Sequence, residues 1–271
     1  MNIKVLTAVA LLVLSTLLLG CTLSAQSTGT RFPLGTKVGP RNPRVVLDRL
    51  SGGGERVSGS GRIVTENFDI RGFNRVDVSH AFQVEIVQGG SYEIEVRVDE
   101  NLQPHLRVER RGDTLVIGLK PAISLNTRNV TMEAKVRMPD LRGIQASGAS
   151  DLRISGFSSA GDFEADLSGA SFLEGDITAR DVDIEASGAS KIRLQGRARD
   201  LRLDLSGASN LDLGDFPAED ADIELSGASE VEVVLNGTLD IDASGASRLY
   251  FGGNPTMGRI DLSGASSIKR R

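Results

Sequence analysis

The residues best placed to do chemistry in this 271-residue chain are carboxylates that return at a fixed spacing. Asp166, Glu185, Asp204, Glu224, Asp242 and Asp261 each stand three residues before the glycine of a Ser-Gly-Ala-Ser tetrapeptide, and Gln145 holds that place in the first copy. Two residues further upstream come Glu164, Asp183, Arg202, Asp222, Asp240 and Arg259. Carboxylates in such a row suit three kinds of chemistry. They can ligate Ca²⁺, a hard cation that takes about 6–8 oxygens at ~2.4 Å; they can face a basic partner; or two of them can share acid and base work on a glycosidic bond. The plain alternative is a solvated face that keeps the protein soluble, balanced by Arg202 and Arg259.

Each specific reading has a residue pattern to answer to. The Gly-Gly-x-Gly-x-Asp repeat that binds calcium in β-rolls is absent, so Ca²⁺ rests on the acidic ribbon alone. For a polysaccharide lyase or hydrolase the pairs to consider are Glu164 with Asp166 and Asp183 with Glu185. The short, uniform, aromatic-poor repeats lack the platforms and long loops of a glycan-cleaving groove, and analogy of fold is a weak warrant for activity. No catalytic residue is assigned. The serines recur in seven near-identical copies, which marks a building element and not a reaction centre. His80 and His105 stand far apart and form no ligand set of recognisable spacing, so they read as surface or turn residues.

The elements that carry these side chains follow from the repeat itself. The tetrapeptide begins at Ser147, Ser168, Ser187, Ser206, Ser226, Ser244 and Ser263, in steps of 18 to 21 residues. A near-constant step of this size marks a solenoid. Four before the glycine stand Ile144, Ala165, Ile184, Leu203, Ile223, Ile241 and Ile260; two before it stand Ala146, Leu167, Ala186, Leu205, Leu225, Ala243 and Leu262. Apolar residues recur again four and six places after it. This alternation has the period of a strand. Each coil is therefore strand, tetrapeptide bend, strand and return turn, with like strands stacked in parallel ~4.8 Å apart. Crossover connections of this type are overwhelmingly right-handed. The expected fold is all-β, a right-handed parallel β-helix with coils of about 19–20 residues and an irregular β-rich N-terminal cap.

Glycine at the bend fits a positive φ or a close approach of successive backbones. Strict alternation points the second serine of each motif inward, with the first serine and the alanine outward; a bulge would reverse this. The hydroxyls are candidates for hydrogen-bonded ladders along the rod.

Composition narrows the class. The chain has 39% apolar residues, no Trp and two Tyr, so aliphatic columns must form the core. A net charge of −5 and the absence of a basic stripe interleaved with aromatics argue against nucleic acid as a partner. The terminal Lys269, Arg270 and Arg271 read as a solvated cap that discourages further strand addition.

The N-terminus reads as a targeting segment at 1–20. Lys4 precedes an apolar run from Val5 to Leu19, short for a membrane span. Leu18-Leu19-Gly20-Cys21 resembles the bacterial lipobox, which implies that Cys21 carries lipid, such as palmitate, and begins the mature protein. The alternative is a secretory signal with an incidental cysteine. Cys21 is the only cysteine, so no disulfide is expected outside the cytosol. Membrane lipid is then a partner through Cys21, and Thr22 in place of Asp points to the outer membrane or cell surface. Residues 21–58 read as a tether rich in Ser, Gly, Thr, Pro and Arg, interrupted by an apolar triplet at 45–47.

Residues 59–140 show strand signals at 76–78, 82–87, 92–98, 106–109, 114–119 and 130–138, with a helical turn at 100–106. They are expected to form the first, irregular coils of the same solenoid; a separate sandwich is the alternative. The regular coils span 141–271.

In this region the sequence resembles a known family. Gly59-Ser60-Gly61-Arg62-Ile63-Val64-Thr65-Glu66, Gly72-Phe73-Asn74-Arg75-Val76, Phe82-Gln83-Val84-Glu85-Ile86, Asn101-Leu102-Gln103-Pro104 and Leu115-Val116-Ile117-Gly118-Leu119-Lys120 are similar, in order, to the landmarks of the putative auto-transporter adhesin head GIN domain family. The resemblance implies a right-handed β-helix exported to the bacterial envelope, often as a lipoprotein; the function expected of such a rod is binding, adhesion or scaffolding, with an envelope glycan or protein surface as its partner. It carries no motif of catalytic residues.

Overall fold

A computed structural model describes residues 55–121, 123–126 and 129–271. The signal segment at 1–20, Cys21, the tether as far as residue 54 and the apolar triplet at 45–47 lie outside the described residues. The strand Glu55–Ser58, inside the segment read as tether, pairs in parallel with Ile123–Asn126.

The period-two pattern produces two parallel sheets that face each other across one aliphatic core. In the first, here the ribbon sheet, Gly143–Ala146, Phe163–Leu167, Asp181–Ala186, Asp200–Leu205, Asp220–Leu225, Thr238–Ala243 and Thr256–Leu262 stack as successive neighbours. In the second, the back sheet, Asp151–Ser158, Phe172–Thr178, Lys191–Arg197, Asn210–Ala218, Glu230–Leu235, Arg248–Gly253 and Ser267–Arg270 do the same. The chain is thus a β-solenoid. The column from Ile144 through Ala165, Ile184, Leu203, Ile223 and Ile241 is in register and buried. Each fully buried Leu or Ile of such a column stabilises the fold by about 1.5–3 kcal/mol before the entropy of ordering is set against it.

The tetrapeptide is the corner between the sheets. All seven glycines adopt φ between 70° and 80°. From Gly169 onward a Cβ would also lie 2.4–2.6 Å from the carbonyl oxygen of the glycine one coil below, so both reasons for glycine apply at once. The second serine points inward, as strict alternation requires: Ser150, Ser171, Ser190, Ser209, Ser229 and Ser247 are buried. Their hydroxyls do not form the ladders envisaged from sequence. Each Oγ instead donates to the carbonyl of its own first serine, for example Ser209 to Ser206 at 2.9 Å and Ser229 to Ser226 at 2.9 Å. The inward serine is three residues from a carbonyl that the turn aims at it. Backbone bonds such as Ala189 N to Gly169 O, 2.7 Å, join the coils at the corner.

Two further rungs precede the seven regular ones. Arg75–Val78 and Gln83–Gln88 pair with the first regular coil, and the corner between them is Ser79, His80, Ala81 and Phe82. His80 takes the glycine place with φ 65°. It is tolerated because the rung below turns away at this corner, where Lys120 N bonds His105 O. That lower rung is Thr114–Leu119 with Met132–Met138. The order of rungs is therefore not the order of the chain: the second rung is laid down first, and residues 139–142 cross it to start the third.

Antiparallel strands finish this end. Leu106–Arg111 closes the ribbon sheet against Thr114–Leu119; Glu93–Asp99 and then Ile63–Phe68 extend the back sheet. The helical turn is a 3-10 turn, Glu100–His105, that buries Leu102. Buried Asp99 ties the cap together by accepting bonds from Gly61 N (2.6 Å) and Thr131 N (2.8 Å).

Candidate functional site

The ribbon sheet brings every sequence-predicted carboxylate to one outer face. Gln145, Asp166, Glu185, Asp204, Glu224, Asp242 and Asp261 are direct cross-strand neighbours along the sheet, and all are exposed. Asp77 extends the column into the rung that sequence reading had not aligned. Alternation along each strand is the cause: inward apolar neighbours on either side force these positions out. Among the described residues, Asp166, Glu185, Asp204, Glu224 and Asp261 have no cationic partner within 4 Å. Asp242 meets Arg259 at 3.4 Å.

The second column also runs in register, from Arg75 through Gly143, Glu164, Asp183 and Arg202 to Asp222 and Asp240. Arg259 leaves it, because the register shifts after Leu239 and its backbone N–H bonds Asp240 Oδ1 at 2.5 Å. Arg75 donates to Glu164 at 2.8 Å, and that hydrogen bond, with the attraction of the guanidinium, holds the Glu164 carboxyl below its usual range. Asp183, directly opposite Glu164, is pushed the other way: partial burial raises it most, Glu164 and Asp204 add to the rise, and Arg202 opposes it.

The back sheet shows that the fold does not impose a single sign on an outward row. One in-register row there reads Asn67, Glu95, Lys135, Glu85, Arg153, Glu174, Arg193, Asp212, Glu232, Tyr250 and Lys269. Charges alternate along most of it, with Arg193 bridging Glu174 (3.9 Å) and Asp212 (3.1 Å). The return corner is likewise compensated: Arg180 bridges Asp162 and Asp181, and Arg199 bridges Asp181 and Asp200. Repulsion between like charges ~5 Å apart in a water-like dielectric is ~1 kcal/mol. Along the ribbon row, four consecutive rungs from Asp166 to Glu224 carry like charges with no ion pair, and Arg202 in the neighbouring row is the cation among them.

Shallow grooves run between the ribbon columns. One of about 170 Å³ is lined by Arg75, Gln145, Glu164, Asp166, Asp183 and Glu185; another of about 50 Å³ is lined by Glu185, Arg202, Asp204, Asp222 and Glu224 among others. A larger groove of about 550 Å³ lies on the back sheet near the cap, where Glu85, Glu93, Lys135 and Arg137 are ion-paired. Among the described residues no three carboxylates or histidines converge as a metal ion needs. Both pairs named from sequence, Glu164 with Asp166 and Asp183 with Glu185, share the ribbon face, and Glu164 and Asp183 are direct cross-rung neighbours, as their shared repeat column implies.

The histidines stay apart from the ribbon. His105 ends the 3-10 turn. His80 Nδ1 lies 2.8 Å from Ser79 Oγ and accepts from Leu119 N at 3.4 Å, and burial, then the Arg107 charge, lower its pKa. A His with a depressed folded pKa binds protons less readily folded than unfolded, so its contribution is full above the unfolded value near 6.5 and is lost as pH falls from there through the folded pKa. His80→Asn, which keeps a side chain that tolerates positive φ, should flatten the loss of stability below pH ~6.5 relative to the unsubstituted protein. Urea midpoints at several pH values check this; parallel pH curves for the two proteins would discard it.

Comparison with known proteins places this geometry. No curated protein matches the chain. Among solved structures, a "putative adhesin" from Bacteroides fragilis aligns with TM-score 0.73 and 18% identity over 79% of this chain and 100% of its own. A "putative lipid binding protein" from Parabacteroides distasonis aligns with TM-score 0.66 and 19% identity over 80% of this chain and 100% of its own. A "putative adhesin" from Parabacteroides merdae gives 0.60 and 17% over 80% and 99%. At these identities the likeness is one of fold. Within the described residues no helix is long and apolar enough to cross a membrane. By sequence, residues 72–255 match the family described as "Putative auto-transporter adhesin, head GIN domain", a span that includes all but the last coil of the ribbon, and the chain belongs to that family.

Proposed function

We propose that this protein is a non-catalytic module of the bacterial envelope, outside the cytoplasm, that presents the acidic ribbon as a flat binding or scaffolding face and is held to the membrane by lipid on Cys21. The observation that carries the reading is the contrast between two outward rows: one on the back sheet alternates in sign along most of its length, whereas the ribbon row from Asp166 to Glu224 is acidic at four successive rungs with no ion pair. A face that keeps like charges in register gains most from a ligand that neutralises them, so the partner is an envelope glycan or protein surface carrying positive charge, directly or through a bound cation such as Ca²⁺. Family membership and the adhesin descriptions of the structural neighbours support a surface role.

The test replaces Asp166, Glu185, Asp204 and Glu224 together by Asn or Gln and measures retention on amino-sugar polymers, lysine-rich peptides, neutral glucans and uronate polymers. Cationic ligands should be retained by the unsubstituted protein, with at least about tenfold weaker binding after neutralisation and a steep loss with salt. Equal retention of both proteins would overturn the role of the ribbon. A second expected result concerns the anchor: labelled palmitate should enter the protein in its native host, and Cys21→Ser should abolish label and membrane association together. Label that persists in Cys21→Ser would remove the lipid from this site.

One observation favours a second reading. Glu164, whose carboxyl the Arg75 guanidinium holds below its usual range, faces Asp183, whose carboxyl partial burial raises, and a neighbouring pair shifted in opposite directions is the pattern of a glycoside-cleaving acid and nucleophile. Release of reducing ends in the same polysaccharide panel, lost in Asp183→Asn, would establish cleavage in place of binding.

A further inference from the structure

A groove of about 550 Å³ lies on the outer face of the back sheet beside the cap, a volume within the ~300–1,000 Å³ of small-molecule sites. It crosses four strands, Ile63–Phe68, Glu93–Asp99, Met132–Met138 and Gln83–Gln88, which lie side by side in that order. Two outward rows wall it: Asn67, Glu95, Lys135 and Glu85 in one, and Glu93, Arg137 and Val87 in the other. Phe68 and Tyr92, both half-buried, complete the lining. The Tyr92 ring is held in place, because its hydroxyl donates to Phe73 O at 3.1 Å and its centroid lies 4.8 Å from that of the Phe73 ring. The polar walls are equally fixed. Arg137 pairs with Glu93 at 3.4 Å and Lys135 with Glu85 at 3.7 Å. At Gly89 φ lies outside the left-handed region, yet a Cβ would stand 2.6 Å from Arg137 Cγ, so the glycine lets the arginine stem lie across it. Asn67 and Glu95, directly opposite each other in the ladder, make no side-chain hydrogen bond or ion pair among the described residues.

We propose that this groove binds an uncharged saccharide. A sugar presents an apolar C–H face and a rim of hydroxyls, and the lining has a partner for each: the rings of Tyr92 and Phe68 for the first, and donors and acceptors on Asn67, Glu95, Lys135 and Arg137 for the second. The charge pattern disfavours ionic ligands. Glu85 and Glu93 already neutralise the two cations, so an anion would have to break an existing pair. Asp69 is likewise paired, with Arg71 at 2.8 Å, which leaves a cation only Glu95 here against four successive carboxylates on the ribbon. Hydroxyls require no such exchange, since a carboxylate keeps free lone pairs and a guanidinium free N–H groups after one ion pair has formed. Side chains fixed in advance also spare the complex part of its ordering cost. The groove lies on the opposite sheet from the ribbon, and the proposal does not rest on what the ribbon binds.

Tyr92 supplies the probe. The chain has no Trp and two Tyr, so Tyr250→Phe leaves Tyr92 as the only tyrosine. The full chain carrying that change, in mild detergent, is titrated with maltohexaose, cellohexaose and mannohexaose. At least one of them should change the Tyr92 emission saturably, with a Kd of about 1 mM or tighter that is the same in ~0.5 M salt. No response to any of the three, or binding that salt abolishes, would overturn the proposal. Glu95→Ala and Lys135→Ala should each weaken binding about fivefold or more, as the loss of one hydrogen bond requires, and Gly89→Ala should do the same by pushing Arg137 aside. Affinity indifferent to all three changes would overturn this site. Thermal melts check that each variant is folded. Neutralising Asp166, Glu185, Asp204 and Glu224 together should leave saccharide affinity unchanged, so the groove and the ribbon can fail separately; saccharide binding lost in that variant would overturn the groove as its location.

Discussion

Gly207→Ala is expected to destabilise the solenoid by about 2–5 kcal/mol, whereas Gly148→Ala, at the same place in the repeat, is expected to lose only about 1–2 kcal/mol. Both glycines have positive φ, 73° and 80°, so any Cβ meets the intrinsic penalty of the left-handed region at either. They differ in what lies beneath. A Cβ at Gly207 would stand 2.5 Å from Gly188 O, a backbone atom locked in its own ladder, while at Gly148 the nearest atom is His80 N at 3.5 Å, an ordinary contact. Because a solenoid coil leans only on its neighbours, the damage at Gly207 should be concentrated around its own coil and the one below. Hydrogen exchange should therefore show Ala208 N and Ala189 N losing protection before the cap does. Equal denaturant midpoints for the two variants would sink the argument that successive corners touch.

Phe216→Ala should be of similar size, about 3–5 kcal/mol, for a different reason. The strand Asn210–Ala218 shifts register between Leu213 and Pro217, so residues 214–216 form an insertion with no partners in the strand above. Its aromatic ring is nevertheless fully buried. One coil below, Gly196 has φ 127° and contributes no side chain at all. Phe216 is among the largest completely buried side chains in a chain without tryptophan, and truncation leaves a cavity that flanking ladders are too rigid to close. Asp215→Ala in the same insertion is the control: it is exposed and should move the midpoint by less than about 0.5 kcal/mol. Matching urea midpoints for Phe216→Ala and Asp215→Ala would show the ring to be dispensable.

Phe216 also marks where local reading ends. The repeat frame aligns positions four and six after each glycine, and the insertion carries Phe216 beyond them, so no column contains it. His80 escaped for a related reason. The residues Ser79, His80, Ala81 and Phe82 keep only two of the four tetrapeptide residues, and their role as a corner is visible once Arg75 and Gly143, 68 places apart in numbering, are seen as neighbours. The strands Ile63–Phe68 and Ile123–Asn126 were also silent in sequence, since an edge strand with one partner needs little of the alternation that marks a central one.

By itself the sequence determined the repeat, the two strands of each coil, the inward columns and the outward row of carboxylates. All of these rest on alternation within a few residues, which backbone geometry enforces locally. The tertiary structure decided the rest: that the second rung is formed first and crossed later, that the second serine turns inward and bonds its own coil, and that charges alternate along a row of the back sheet. Those facts depend on which strands lie side by side, a matter of hydrogen-bond register between distant segments, and periodicity within a strand carries no record of its neighbour.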